Sequence, residues 1–140
     1  MKHYWPQFSL FLLFLAGAIT LACGHSPNRM LQSVTLNPAT ADAQNFPEGL
    51  VQFTATGTYT KAPSPVTPLS ANWGACDSGG NSTSDVSVSA SGLAHCATGA
   101  AGTYFVWAFD TNPGMDTCLA ITACGGGCGR VTGTALLTCP

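Results

Sequence analysis

Val51-Gln52-Phe53-Thr54-Ala55-Thr56-Gly57-Thr58-Tyr59 alternates without a break, with Val, Phe, Ala, Gly and Tyr at odd positions and Gln or Thr at even ones. A period of two sends successive side chains to opposite faces of a strand, so this segment buries one face and wets the other. A helix would need apolar residues recurring every three to four positions, and no such period is sustained beyond the first thirty residues or so. Upstream, Val34 and Leu36 mark an earlier strand that stops at Asn37-Pro38, because proline cannot donate to a ladder. Downstream, Ala71, Trp73 and Ala75 form a short strand with a large aromatic at its middle. Val86 and Val88 mark the next, Gly92-Leu93 opens another, and residues 103–109 and 131–138 form the last two. About seven short strands bounded by turn residues predict an all-β, immunoglobulin-like antiparallel sandwich, with Trp73 at its buried centre.

Composition narrows the functions. The chain has 140 residues, of which 4 are basic and 6 acidic, so 7% are charged, against roughly a quarter in ordinary domains. Nucleic-acid binding needs clustered Lys and Arg to displace counterions, and none is expected here. Disorder is excluded as well, since 46% apolar residues can bury surface. Catalysis is not expected either. His25 lies in a tether and His95 on a strand, and no nucleophile elbow, phosphate loop or zinc-protease motif occurs. Asp42, Glu48, Asp77, Asp85, Asp110 and Asp116 sit singly, as solvated turn residues do. No catalytic residue and no cofactor is therefore predicted.

Residues 1–22 read as an export signal: Lys2 and His3 form a thin basic region, and residues 8–22 are an apolar run. That run falls short of the ~20 residues needed to span a bilayer and fits a signal-peptide core. Leu21-Ala22-Cys23-Gly24 resembles a bacterial lipobox, in which the Cys is lipidated and becomes the mature amino terminus. Cys23 is the predicted lipidation site, residues 23–30 the lipidated Cys and tether, and residues 31–140 the domain. Cleavage near Ala22 without lipid is the alternative. An acylated Cys23 would anchor the protein in a membrane, and Gly24 in place of Asp tips the location toward an outer membrane or cell surface. The alternative is a secreted protein.

The segments Ser33-Val34-Thr35-Leu36-Asn37-Pro38-Ala39-Thr40-Ala41 and Val51 to Tyr59 resemble the bacterial Ig-like domain of group 2. Trp73, Ser91-Gly92-Leu93 and Ala100-Ala101-Gly102-Thr103 continue the likeness in order and spacing. It implies a structural or adhesive module with a protein or glycan partner, and the chain adds a cysteine-rich insertion at 110–129. Placed in that family's register, Tyr104, Val106 and Ala108 point inward. Phe105, Trp107 and Phe109 then point outward, joined by Leu136 on the last strand. Such a stripe is a possible binding face, because exposed apolar patches mark contact sites. The insertion, with Leu119 and Ile121, is favoured as a lid over it, since large exposed patches are rare in monomers.

Seven cysteines occur. If Cys23 carries lipid, an even set remains: Cys76, Cys96, Cys118, Cys124, Cys128 and Cys139. In an exported protein these are disulfide candidates. Cys124 and Cys128 have the gap of a zinc knuckle, but further ligands are poorly placed, so no metal site is predicted and a small metal-binding domain is the third reading. In the expected topology Cys76, Cys96 and Cys139 cluster at one end of the sandwich. The expected pairs are Cys76–Cys96, Cys124–Cys128 and Cys118–Cys139, the last laying the insertion across Trp107.

Overall fold

The computed structural model describes residues 29–111 and 130–140 and folds them into β1 (Leu31–Asn37), β2 (Thr40–Asp42), β3 (Leu50–Gln52), β4 (Thr54–Tyr59), β5 (Ala71–Cys76), β6 (Val86–Val88), β7 (Leu93–Cys96), β8 (Gly102–Asp110) and β9 (Thr132–Cys139). One layer runs β2-β9-β8-β5. The facing layer joins β1-β4 to β3-β7-β6, because β3 and β4 are one chain that changes partner at Phe53. The Phe53 N–H leaves the ladder with β7 and donates to the Gly92 carbonyl at 2.9 Å, after which β4 pairs with β1. This order, A-B-E-D against C-F-G in immunoglobulin lettering, is the all-β sandwich that the alternation predicts.

Two departures have local causes. The alternating stretch is split between two partners, yet its inward face continues through the split: Val51, Phe53 and Ala55 are all buried. Alternation specifies which face a residue takes and says nothing of which strand accepts its hydrogen bonds. The second departure is β2, too short to show a period. Beyond Asn37 the chain leaves β4 and crosses to the other layer, where the Ala39 carbonyl accepts the Leu136 N–H at 3.0 Å and β2 runs parallel to β9.

The centre of the core is Phe53, with Val51, Val106 and Leu137. Trp73, expected there, is half-buried and packs at the core's margin. Its indole lies over Gly92, which has φ +81. A Cβ on Gly92 would run into both that ring and the Phe53 carbonyl, so glycine is required there for conformation and for space.

The expected disulfide pairs need correction. Cys96 is bonded to Cys139, with Cα atoms 5.9 Å apart, which rules out Cys76–Cys96 and Cys118–Cys139. The reason is strand parity. Cys96 shares a side of β7 with buried Ala94, and Cys139 shares a side of β9 with buried Leu137, so both point into the space between the layers. Cys76 pairs across the sheet with Phe105 and takes the opposite side of β5 from Trp73 and Ala75. It is disulfide-bonded, to a partner outside the described residues. The Cys124–Cys128 pair also lies outside them.

Candidate functional site

β8 turns alternate residues to the two sides of its sheet. Tyr104, Val106 and Ala108 are buried between the layers, opposite Leu137, Ala135 and Gly133 of β9. Phe105, Trp107 and Phe109 take the outer side, with Leu136 directly across from Phe105. Their exposure is graded along the strand. Phe105 is 37% exposed, Trp107 and Leu136 are half-buried, and Phe109 is 2% exposed.

That gradient has identifiable sources. The Trp107 and Phe109 rings stack at 5.2 Å with planes 8° apart, and the Arg130 guanidinium lies 4.4 Å from the Phe109 centroid. Such contacts hold an aromatic more firmly than area alone. Trp107 has room because its cross-strand neighbour on β5 is Gly74, where any Cβ would overlap the indole. The Trp107 indole N–H is buried and has no hydrogen-bond partner. An unsatisfied buried donor costs about 1–3 kcal/mol.

A second feature lies at the end of the sandwich that carries the disulfide. An open cavity of about 420 Å³ is lined by Gln44, Phe46, Glu48, His95, Cys96 and Pro140, among others. Two single-turn 3-10 segments, Ala43–Asn45 and Pro47–Gly49, supply one wall. The pairing of Leu50 with His95 brings the other wall alongside. Glu48 holds φ 56, a left-handed conformation that non-glycine residues seldom adopt. Sequence reasoning missed this cavity, because no local pattern announces two loops meeting across a strand pair. Among the described residues no three His, Cys, Asp or Glu side chains are grouped to hold a metal ion.

Two tyrosines pin opposite ends of the sandwich. The Tyr104 hydroxyl donates to the Asp85 carboxylate at 3.0 Å, with the Ala101 carbonyl at 3.2 Å, an arrangement like the tyrosine corner of immunoglobulin domains. The hydrogen bond to Asp85, then desolvation, raises the Tyr104 pKa. At the other end the Tyr59 hydroxyl donates to Asp110 at 2.9 Å, and burial followed by that bond raises its pKa. Asp77 closes a turn by accepting the Asn81 N–H at 2.8 Å, and that backbone bond lowers its pKa.

Of the residues singled out from sequence, Cys23, Cys118, Cys124, Cys128 and the insertion from residue 112 to 129 lie outside the described residues. The expected lid over the outer face, with Leu119 and Ile121, lies outside them as well. No protein-family model matches the chain, and no curated protein matches it.

Proposed function

We propose that this chain is a non-catalytic cell-envelope lipoprotein module, in which Cys23 carries the lipid and an Ig-like sandwich serves a structural or adhesive role at the bacterial surface. The observation that carries this reading is Leu21-Ala22-Cys23-Gly24 at the close of the apolar run. The resemblance to the bacterial Ig-like domain of group 2 supports the structural or adhesive role. So does the way the domain grips the end of the tether. The Met30 N–H donates to the Thr60 hydroxyl at 3.0 Å, and the Met30 carbonyl accepts the Thr60 N–H at 2.9 Å. The test is metabolic labelling with radioactive palmitate. The natural chain should take up label, and Cys23→Ala should take up none while keeping its β-sheet circular dichroism. A natural chain that stays unlabelled overturns the lipoprotein.

A second reading, a secreted domain that binds protein or glycan through the outer aromatic face, is favoured by one observation. Exposed Phe105 lies two residues from Trp107, whose indole N–H lacks an acceptor. An unlabelled protein recovered from the culture medium would support it.

A further inference from the structure

Gln44, Glu48, His95 and Thr98 line the open cavity of about 420 Å³ at the disulfide end. Among the described residues none of these four side chains makes a hydrogen bond or ion pair within the protein. The neighbouring carboxylate of Asp42, by contrast, is committed to the Gln44 N–H at 3.0 Å. Phe46 lines the same space and is 36% exposed, one of three large apolar side chains left open on the described surface. One aromatic ring and four uncommitted polar groups therefore border one cavity.

The walls are held in place before any ligand arrives. The Phe46 N–H donates to the Ala43 carbonyl at 3.1 Å, and the Gly49 N–H to the Phe46 carbonyl at 3.0 Å. Inside that second turn Glu48 holds φ 56 and Gly49 φ 67. Glycine would fit position 48 without strain. A side chain kept in such a conformation is a feature of ligand sites, where the surrounding structure imposes it. The opposite wall is fixed by the Cys96–Cys139 bond, which joins the two layers beside Pro140.

The cavity also lies away from the points where the described chain begins and breaks. Gly102 pairs with Cys139 at its end of β8, and Phe109 pairs with Thr132 at the other. The nine residues of β8 separate the two ends by roughly 30 Å. Thr111 and Arg130 follow and precede that far pair. Arg29 is there too, 3.4 Å from the centroid of the Tyr59 ring, whose hydroxyl reaches Asp110.

We infer that this cavity is a binding site for an uncharged saccharide, with Phe46 under the apolar face of a sugar ring and Glu48, Gln44, His95 and Thr98 around its hydroxyls. The inference deepens the adhesive reading and rests on it. An anchored module receives its tether at Arg29 and so presents this end away from the membrane. The volume is that of a small-molecule site, and an aromatic wall with a few polar groups is the usual composition of one. No Lys or Arg is among the described lining residues, so an anionic ligand finds no cation to pair with. A single exposed carboxylate holds a cation weakly. A saccharide uses the whole set, because its hydroxyls both donate and accept while its C–H face covers a ring. Glu48 supplies the strongest contact, since hydrogen bonds to an ionised group exceed neutral ones.

The experiment uses residues 23–140 with Cys23→Ala, so its outcome leaves the palmitate result untouched. The ¹⁵N-labelled protein is titrated with the methyl glycosides of glucose, galactose, mannose and N-acetylglucosamine at millimolar concentration, and with choline chloride as a cationic probe. At least one glycoside should shift the amides of Gln44, Phe46, Gly49 and Thr98 in a saturable way. Glu48→Gly should weaken that binding about tenfold without lowering the urea midpoint, because it removes the carboxylate and relieves the backbone. Phe46→Ala should weaken it about fivefold, and Gln44→Ala should weaken it with the midpoint unchanged. No saturable shift with any glycoside overturns the proposal, as does a Glu48→Gly variant that binds like the natural chain. Choline moving the same amides at lower concentration than every glycoside overturns the saccharide. Shifts centred on Phe105 and Trp107 overturn the cavity while leaving the adhesive role standing on the outer face.

Discussion

The two faces of β8 differ in what determines burial. On the inner face Tyr104, Val106 and Ala108 are uniformly buried, because a whole second layer lies opposite them. On the outer face the same strand runs from exposed Phe105 to buried Phe109. There burial depends on individual neighbours: Gly74, which makes space for Trp107, and Arg130, which lies over Phe109. A facing sheet imposes one fate on every inward residue. On the outer side each residue takes the burial that its own neighbours allow.

The largest expected effect tests the inner side. Phe53 faces the same interior and is fully buried, at the point where the chain exchanges one partner strand for another. Phe53→Ala should cost about 3–5 kcal/mol, the sum of lost transfer energy and a cavity that the two layers cannot close. Urea unfolding of the exported domain measures it. Trp73→Ala should cost less, because that ring is only partly buried and packs at the core's margin. If Trp73→Ala proves the more damaging, the interior is centred elsewhere and the contrast between the faces of β8 loses its basis.

This contrast also marks what could be read from the residues in advance. The inward sets of β1, β4, β8 and β9 follow from period-two patterning, since one buried face leaves a regular imprint. The switch at Phe53 does not, because hydrogen-bond partners leave no imprint on side-chain chemistry. The Cys96–Cys139 bridge is legible from strand parity, which the expected pairs leave out. Cys96 is two residues from Ala94 and Cys139 two from Leu137, so parity alone points both inward, whereas Cys76 follows inward Ala75 and must point outward. Position along the strands puts all three at one end of the sandwich, and the side each one takes then decides which two can meet. The cavity arises from loops brought together by strand pairing, and no window of sequence contains it.

The intermediate effect tests how the outer face is built. Gly74 sits across from Trp107, and a methyl group there has no room beside the indole. Gly74→Ala should cost about 1–3 kcal/mol, as overpacking does, and should lift Trp107 off the sheet. In a Trp73→Phe background Trp107 is the one tryptophan of residues 23–140, so its emission reports the movement directly. A red shift with stronger acrylamide quenching is expected. Unchanged emission would mean that the ring is held by Phe109 stacking alone and that Gly74 is incidental.

The smallest expected effect is also the most discriminating about the use of the outer face. Phe105 is 37% exposed and lies across from half-buried Leu136 on one side and Cys76 on the other. Truncating a side chain that keeps this much contact with water removes only part of its transfer energy, so Phe105→Ser should cost about 1 kcal/mol. Serine is also tolerated in a sheet whose neighbouring outward positions on β9 are Thr134 and Thr138. Stability is therefore not the most telling place to look for a reason that a phenylalanine stands there. If the outer face binds a protein or glycan, Phe105→Ser should weaken adhesion of the exported protein to its surface partner while lowering the urea midpoint less than Gly74→Ala does. A midpoint that falls as far as in Gly74→Ala would show Phe105 to be packed rather than offered, and the outer face would then be structural along its whole length.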